Sequence, residues 1–449
     1  MKIYDVLIDY EFVKSFDLSS LKESLILPIK KDGIYIDTFV CEESNSNIFN
    51  ETCIFREKKI SKDEILFFLI DIDIRYKLFI LSKKALRSEN LNSNIISEFM
   101  NILIQNAIAS RSSDIHMETF ENSSVIRFRI DGIMKIFYVF QKEFANVISS
   151  HIKMLSNLDI TNSRIPMDGS FSLYLDDKKY DFRVSTMPTI NGESIVIRVL
   201  DNQNILKKID SLGFSSHILT AIEDIKKLTQ GLVLITGPTG SGKSTTLYSL
   251  IKEINKEDKK IVTIEDPVEY KLQQVQQIEI NDPIGLSFDT VLRSVLRQDP
   301  DVILIGEIRD ELSLNIALQA SLTGHLVLAS VHANNSIQTL NRLYDLKADN
   351  YLLSATLKYI FSQRLVLNIC TNCKKQGCKK CNYKGFYGRS CIAEALKVDE
   401  DISRMISKEE SIIEYLDEIK FKTILDDGKE KVASNITTIE EVYKVIEKI

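Results

Sequence analysis

One stretch constrains this chain more than any other: Gly231-Leu-Val-Leu-Ile-Thr-Gly237-Pro-Thr-Gly240-Ser-Gly242-Lys243-Ser244-Thr245. Five apolar or β-prone residues, Leu232 to Thr236, run into a glycine-rich turn. A helical pattern follows, with Leu247, Leu250 and Ile251 at i, i+3 and i+4. The turn fits G-x-x-x-x-G-K-[ST] without a mismatch, between the strand and the helix that the motif requires. Chemistry explains the residue types. Gly237, Gly240 and Gly242 let backbone N–H groups turn inward around phosphate oxygens, at the positive end of a helix. Lys243 can reach β- and γ-phosphates, and the Ser244 hydroxyl can hold Mg²⁺. Pro238, Thr239, Ser241 and Thr245 complete the cradle. A chance glycine turn would not bring motif and context together, so a nucleoside triphosphate site is expected.

The length of 449 residues suggests several domains with ample material for cores, and 44% hydrophobic with 27% charged residues is ordinary for a globular protein. A net charge of −6 argues against a surface that coats nucleic acid. Met1-Lys-Ile-Tyr-Asp5 has charged residues where a signal peptide would have its apolar core, and the best apolar run, Ile65 to Ile70, is far too short for a membrane span. A cytoplasmic protein is expected. Its seven cysteines should then be reduced thiols or metal ligands.

In chain order, residues 1–88 mix short strand-like runs (Ser24 to Pro28, Gly33 to Ile36) with polar turns. Ser82 to Asn94 reads as a polar linker, with a helix start possible near Ser93. Residues 92–205 read as a mixed α+β domain. It has a helix from Ile95 to Ala109, a second from Val147 to Leu158, and strands over Val125–Gly132, Tyr180–Pro188 and Ile195–Leu200. From 206 to 449 strands and helices alternate. Leu232–Thr236, Ile261–Ile264, Val302–Ile305 and Leu326–Val331 are near-continuous apolar strands, as in a parallel sheet buried on both faces. Helical stretches, including Ser287–Arg297 and Leu314–Leu322, lie between them. The tail from about 345 reads as largely helical around a cysteine cluster at about 368–390.

Three more segments follow strand ends, where ligands bind in open α/β sheets: Thr263-Ile-Glu265-Asp266-Pro267-Val-Glu269-Tyr270, Gly306-Glu307-Ile-Arg309-Asp310, and Thr323-Gly-His325 through His332-Ala-Asn334. With the phosphate loop, they resemble the Walker A, aspartate, Walker B and histidine boxes of the ATPases that power type II secretion and type IV pilus assembly. Ser113-Asp-Ile-His116, Arg127-Phe-Arg129, Arg183-Val-Ser-Thr-Met-Pro188 and Gly192-Glu193 through Arg198 resemble the same family. The likeness runs from about 92 to 395. It implies a RecA-like P-loop ATPase domain, a preceding PAS-like α+β domain and a small N-terminal α/β docking domain. Pro166-Met-Asp-Gly169 departs from the family's Pro-Gln-Asp-Gly, and His151 stands where an Arg is common. The first 85 residues resemble the docking domain only weakly.

The resemblance also implies roles. Glu307 would hold Mg²⁺. Glu269 is the candidate general base, with Glu265 and Glu307 as alternatives. His332 would be a γ-phosphate or inter-site sensor, Arg183 and Arg198 would act as arginine fingers, and nucleotide would sit between the two larger domains. Each has a structural alternative, since a Glu is usually a solvated charge, a strand His a satisfied core group and a strand Arg half of a salt bridge.

Cys370-x2-Cys373-x4-Cys378-x2-Cys381 is a second signal: paired C-x2-C turns suit tetrahedral Zn²⁺ over an iron–sulfur cluster or free thiols. Its short interval makes a tight structural knuckle, and the family carries a tetracysteine element here. Cys41, Cys53 and Cys391 have no ligand spacing. The expectation is a hexameric, ATP- and Mg²⁺-using enzyme at the inner membrane. It would act there through a platform protein and a docking partner, without binding nucleic acid. Retraction motors of the family lack the tetracysteine element and the docking domain. A nucleic-acid translocase and a non-enzymatic nucleotide-binding component are the competing classes.

Overall fold

The computed structural model describes residues 6–45, 53–87, 93–175, 177–200 and 208–446. The N-terminal pentapeptide and the expected boundaries near 88–92 and 205–206 lie outside the described residues. Contacts group the chain into two units, Met1–Asn202 with Cys370–Tyr387, and Gln203–Ile369 with Gly388–Ile449.

The first unit opens with β1 (Ile26–Asp32), β2 (Tyr35–Val40) and β3 (Ile54–Lys59), a sheet of order β1-β2-β3. The strand-like runs read from the sequence become β1 and β2. The helix Ile72–Arg87 runs through Ser82–Arg87, which the sequence presents as linker. Those residues are polar on one face only: Leu78, Leu81 and Ala85 are buried, and the Ser82 hydroxyl lies 3.2 Å from the Tyr138 hydroxyl. An amphipathic helix therefore continues to Arg87, and residues 88–92 of the expected linker lie outside the described residues.

The helix Ser93–Ala109 follows, then β4 (Ser112–Thr119), β5 (Ser124–Ile130), β6 (Ile133–Phe140), the helix Lys142–Leu155, β7 (Met167–Leu175), β8 (Lys178–Thr189) and β9 (Gly192–Leu200). These strands form an antiparallel sheet of order β6-β5-β4-β9-β8-β7. One apolar core, from Val6 through Phe99, Phe128 and Phe144 to Ile197, serves both sheets of the unit.

The second unit is built on β10 (Gly231–Thr236), β11 (Ile261–Glu265), β12 (Gln276–Glu279), β13 (Val302–Ile305), β14 (Leu326–Val331), β15 (Leu357–Ile369) and β16 (Phe386–Lys397). The sheet order is β12-β11-β13-β14-β10-β15-β16, and the pairs from β12 to β15 are parallel. Every residue of β10, β11, β13 and β14 is buried. Successive side chains of a strand face opposite sides, and the cores divide accordingly. Leu232, Leu234, Ile303 and Ile305 join one core with the helix Glu311–Leu322. Val233, Ile235, Val302 and Leu304 join another with the helices Ser216–Lys227 and Lys243–Ile254.

The tail differs from the helical reading, because β15 and β16 occupy much of it before the helices of 400–446. In β15, Tyr359 and Phe361 enter one core while Leu357 and Ile360 enter the other. Past an irregularity at the start of the pairing with β10, residues 359–361 alternate between the cores, and that alternation, together with the hydrogen-bonding edge of β10, makes a strand where helix was expected.

Candidate active site

Parallel pairing sets the site. Thr236 is in register with Val331, Ile305 with Ala329, and Ile264 with Ile305. The residues following β10, β11, β13 and β14 therefore emerge together at one edge of the sheet, the carboxyl edge where α/β folds bind ligands.

Beyond β10 the backbone takes positive φ at Gly237 (150°), Gly240 (79°) and Gly242 (92°). At Gly237 a Cβ would stand 2.5 Å from Ser241 Oγ and 2.6 Å from the Gln363 carbonyl, so a side chain there would push the turn apart. Gly242 caps the helix Lys243–Ile254 with no side-chain acceptor, which leaves the first N–H groups of that helix for an anion. Lys243 Nζ donates to the Gly237 carbonyl at 2.7 Å and the Pro238 carbonyl at 3.3 Å, holding the loop in place of phosphate oxygens. Ser244 and Thr245 occupy the next positions of that helix, Ser244 exposed.

Burial pushes the Lys243 ammonium down to about 8; the Glu307 carboxylate opposes that shift and the Arg364 guanidinium adds to it. A triphosphate requires the charged form, so binding above that pH must take up a proton. Nucleotide affinity should therefore fall by up to about tenfold per unit as pH rises above 8, with about one proton taken up near pH 9. Calorimetry of ATP binding in buffers of different ionisation enthalpy reads both quantities. Lys243→Arg, which stays charged, should flatten the profile.

Glu307 follows β13 and Gly306, and its carboxylate is shared. Arg309 Nε donates to Oε2 at 2.8 Å, and His332 Nε2 stands 3.3 Å from Oε1. Arg309 also reaches Asp266 Oδ2 at 3.4 Å. Burial and the Lys243 cation push the His332 imidazolium down against the pull of Glu307, which favours a neutral ring. Lys243, Glu307 and His332, taken from three strand ends, thus form one electrostatic group. An open cleft of about 560 Å³ lies alongside, lined by Pro238, Thr239, His332, Asn334, Gln338 and Arg342 among others.

Glu265 and Glu269 diverge. Glu265 is only 4% exposed. It accepts from Tyr248 Oη, from Thr263 Oγ1 at 2.6 Å and from Gln277 Nε2 at 3.3 Å. Those donors make it a structural anchor at the end of β11. Tyr248 Oη in turn accepts the Glu269 backbone N–H at 3.3 Å, fixing the loop that carries Glu269. His325 caps the helix Glu311–Leu322, its Nδ1 lying 2.9 Å from the Ala320 carbonyl.

Arg183 and Arg198 belong to the first unit, where β8 and β9 place them directly opposite each other. Arg198 Nε donates to Asp114 Oδ1 at 3.1 Å, and Arg129 Nε lies 3.7 Å from the other carboxylate oxygen.

Gln363 and Arg364 are missed by motif reading. Gln363 Nε2 donates to the Ser241 carbonyl at 2.8 Å, and Arg364 donates to the Gln363 carbonyl at 2.9 Å and the Asn334 carbonyl at 2.7 Å. Together they tie the phosphate loop to the loop carrying His332. The available signal is three polar residues, Ser362-Gln363-Arg364, between the apolar runs 359–361 and 365–367; buried polar groups persist where they are hydrogen-bonded.

The four motif cysteines come together as a separate group. Their sulfurs all lie within 4.8 Å of one another. Cys370–Cys378, Cys373–Cys381 and Cys378–Cys381 are separated by 3.8, 3.7 and 3.8 Å. Zn–S bonds of about 2.3 Å in a tetrahedron require sulfurs about 3.8 Å apart. N–H groups of Cys378 and Gly385 donate to Cys381 Sγ, both at 3.3 Å, the kind of outer support that metal thiolates receive. The segment packs within the first unit, with Arg111 3.9 Å above the Tyr387 ring and Lys384 Nζ 3.5 Å from the Ile130 carbonyl.

The model of the family described as "Type II/IV secretion system protein" matches residues 89–444. The type II secretion system protein E of Dickeya dadantii is 39% identical over 376 residues, covering 78% of this chain and 75% of that protein. The protein of the same name from Aeromonas hydrophila is 36% identical over 438 residues, 91% of this chain and 87% of the relative. Among solved structures, the pilus retraction motor PilT with bound ADP superposes with a TM-score of 0.59 at 28% identity, covering 76% of this chain and 95% of that one. Among the described residues no helix is long and apolar enough to cross a membrane. A 36% identity to the Aeromonas protein over nine-tenths of this chain, a family match over residues 89–444 and a phosphate loop set at a parallel sheet edge lead to one conclusion: the chain belongs to the type II/IV secretion system protein family and is a secretion or pilus-assembly ATPase.

Proposed function

We propose that this ATPase works as a Mg²⁺-dependent homohexamer in the cytoplasm, passing the work of hydrolysis to an inner-membrane platform protein to polymerise a pilus or pseudopilus. Its domains would be a docking module (1–88), a PAS-like module (92–205) and a RecA-like module (206–449). The docking module would hold the enzyme at the membrane through a second partner. The convergence of Lys243, Glu307 and His332 at one sheet edge carries this reading. Bound triphosphate supplies the reacting phosphoryl group and Mg²⁺ neutralises its charge. The chain would orient them: Gly237–Thr245 would cradle the phosphates, Ser244 and Glu307 would hold the cation, and His332 would sense the terminal phosphate. Glu269 is proposed to orient the attacking water, since Glu265 is consumed by its three donors. Arg183 and Arg198 are proposed to lend charge to the terminal phosphates; planar guanidinium forks suit spread anionic charge. Cys370, Cys373, Cys378 and Cys381 are proposed to hold a structural Zn²⁺.

The test is steady-state ATP hydrolysis of the purified chain against its own concentration, with and without single-stranded DNA. A specific activity that rises steeply with concentration and ignores DNA is expected of an assembling secretion motor. Stimulation by DNA would replace this reading with that of a nucleic-acid translocase.

A further inference from the structure

A second group of metal-ligating side chains stands in the ATPase unit, and none of its residues belongs to the phosphate-loop site or to the sulfur cluster. His217 lies on the helix Ser216–Lys227, and Asp427 and Glu430 lie on the helix Ile424–Ala433. One ligand atom from each falls within 4.8 Å of the other two. His217 Nε2 is 4.0 Å from Asp427 Oδ1, and His217 Nδ1 is 3.8 Å from Glu430 Oε2. These separations exceed hydrogen-bond range. His217 Nδ1, His217 Nε2 and Asp427 Oδ1 are all shut off from solvent without a hydrogen-bond partner.

Such atoms are costly to leave bare, the carboxylate oxygen above all. The Asp427 side chain is 1% exposed. Its other oxygen, Oδ2, accepts the Ala393 N–H of β16 at 2.9 Å, which fixes Oδ1 toward the imidazole. The neighbouring cations are otherwise engaged. Lys431 donates to the Gly213 and Cys391 carbonyls, and Lys422 donates to Glu430 Oε1 at 2.5 Å. Glu430 Oε2 remains directed at His217.

We propose that His217, Asp427 and Glu430 form a second metal site for a divalent transition ion. One imidazole nitrogen and two carboxylate oxygens suit Zn²⁺ or Mn²⁺, and two negative charges balance the ion. Metal–ligand bonds of about 2.1 Å place tetrahedral ligands about 3.4 Å apart, and one ion takes one imidazole nitrogen, so ligand atoms that now lie within 4.8 Å of one another draw in by up to about 1.4 Å around that nitrogen. The ion staples the helix that opens the unit to the helix near its end, and through Asp427 to β16. Its role is structural.

The experiment titrates the full-length protein, free of nucleotide, with Mn²⁺ and follows the electron paramagnetic resonance of the free aqua ion; thiolate clusters are poor ligands for this ion. Total zinc of protein purified in zinc is counted in parallel. His217→Gln and Glu430→Gln are the variants, because both side chains reach the surface and Asp427 does not; circular dichroism checks their fold. Wild type should remove about one equivalent of Mn²⁺ or carry a second zinc beside that of the cysteines, and either variant should weaken that uptake at least tenfold. If wild type takes up neither ion beyond the cysteine-bound zinc, or the variants bind as wild type does, the three residues form only an ion-pair cluster and the proposal is wrong.

Discussion

Glu307→Gln should stop ATP turnover while leaving ATP binding within a few-fold of wild type. The two side chains have nearly the same shape, so Gln still accepts the Arg309 Nε hydrogen bond of 2.8 Å. What disappears is the negative charge facing Lys243 and His332. Ground-state binding rests on the loop N–H groups and Lys243; the change leaves their positions alone, and the bound triphosphate itself supplies negative charge that keeps Lys243 protonated. Loss of the charge proposed to hold the cation should lower kcat by a factor of about 10² to 10⁴, or about 3–5 kcal/mol of barrier. Phosphate release measures kcat, and a fluorescent ATP analogue measures Kd. Should binding collapse together with turnover, Glu307 is holding the phosphate loop in shape rather than acting on the reaction, and its proposed role fails.

The same comparison separates the three glutamates that motif reading left open. Glu265 sits beneath Tyr248, Thr263 and Gln277, with its oxygens committed to holding the end of β11 against β12 and the helix Lys243–Ile254. Glu307 shares its carboxylate with two side chains of the site and faces Lys243. Glu269 rides on a loop whose backbone Tyr248 fixes. Roles diverge because local donors differ, a distinction that residue type alone cannot carry.

Legibility followed the range of the interactions. β10, β11, β13 and β14 could be read from their apolar runs because two-sided burial leaves a local signature. The phosphate loop was legible because positive-φ glycines and a helix start leave fixed residue types. β15 was not, since its reason is non-local: Leu232–Thr236 needs a partner on its second edge, and Leu357–Ile369 supplies it. Gln363 and Arg364 acquire their meaning only when that pairing brings them to Ser241 and Asn334. Likewise the four cysteines announced their mutual approach, but not that Cys370–Tyr387 would group with residues of the first unit. That depends on Arg111 and Ile130, far away in sequence.

Cys378→Ser should release the metal proposed for the sulfur cluster and unfold Cys370–Tyr387 locally, leaving the parallel sheet intact. Beyond short-range backbone hydrogen bonds and the contacts of Tyr387 and Lys384, the segment buries little that could hold it. Lys374, Lys375, Asn382 and Tyr383 all take positive φ, as do Gly377 and Gly385. Each such non-glycine residue costs about 1 kcal/mol or more. At Gly385 a Cβ would meet the Lys375 carbonyl at 2.5 Å, so the turn is drawn tight enough to exclude a side chain. Zinc bound by four thiolates contributes of order 10 kcal/mol in small metal-dependent folds, enough to offset that strain, and replacing one thiolate by a hydroxyl is expected to remove much of it. Hydrogen exchange should therefore accelerate across 370–387 and at the Ile130 end of β5, against which Lys384 rests. It should stay slow in β10 and β14, whose cores contain none of the four cysteines. Metal content by atomic spectroscopy would fall in step. Unchanged metal content with unchanged exchange would mean that the sulfurs are packed thiols, and that the turn is held by its own hydrogen bonds.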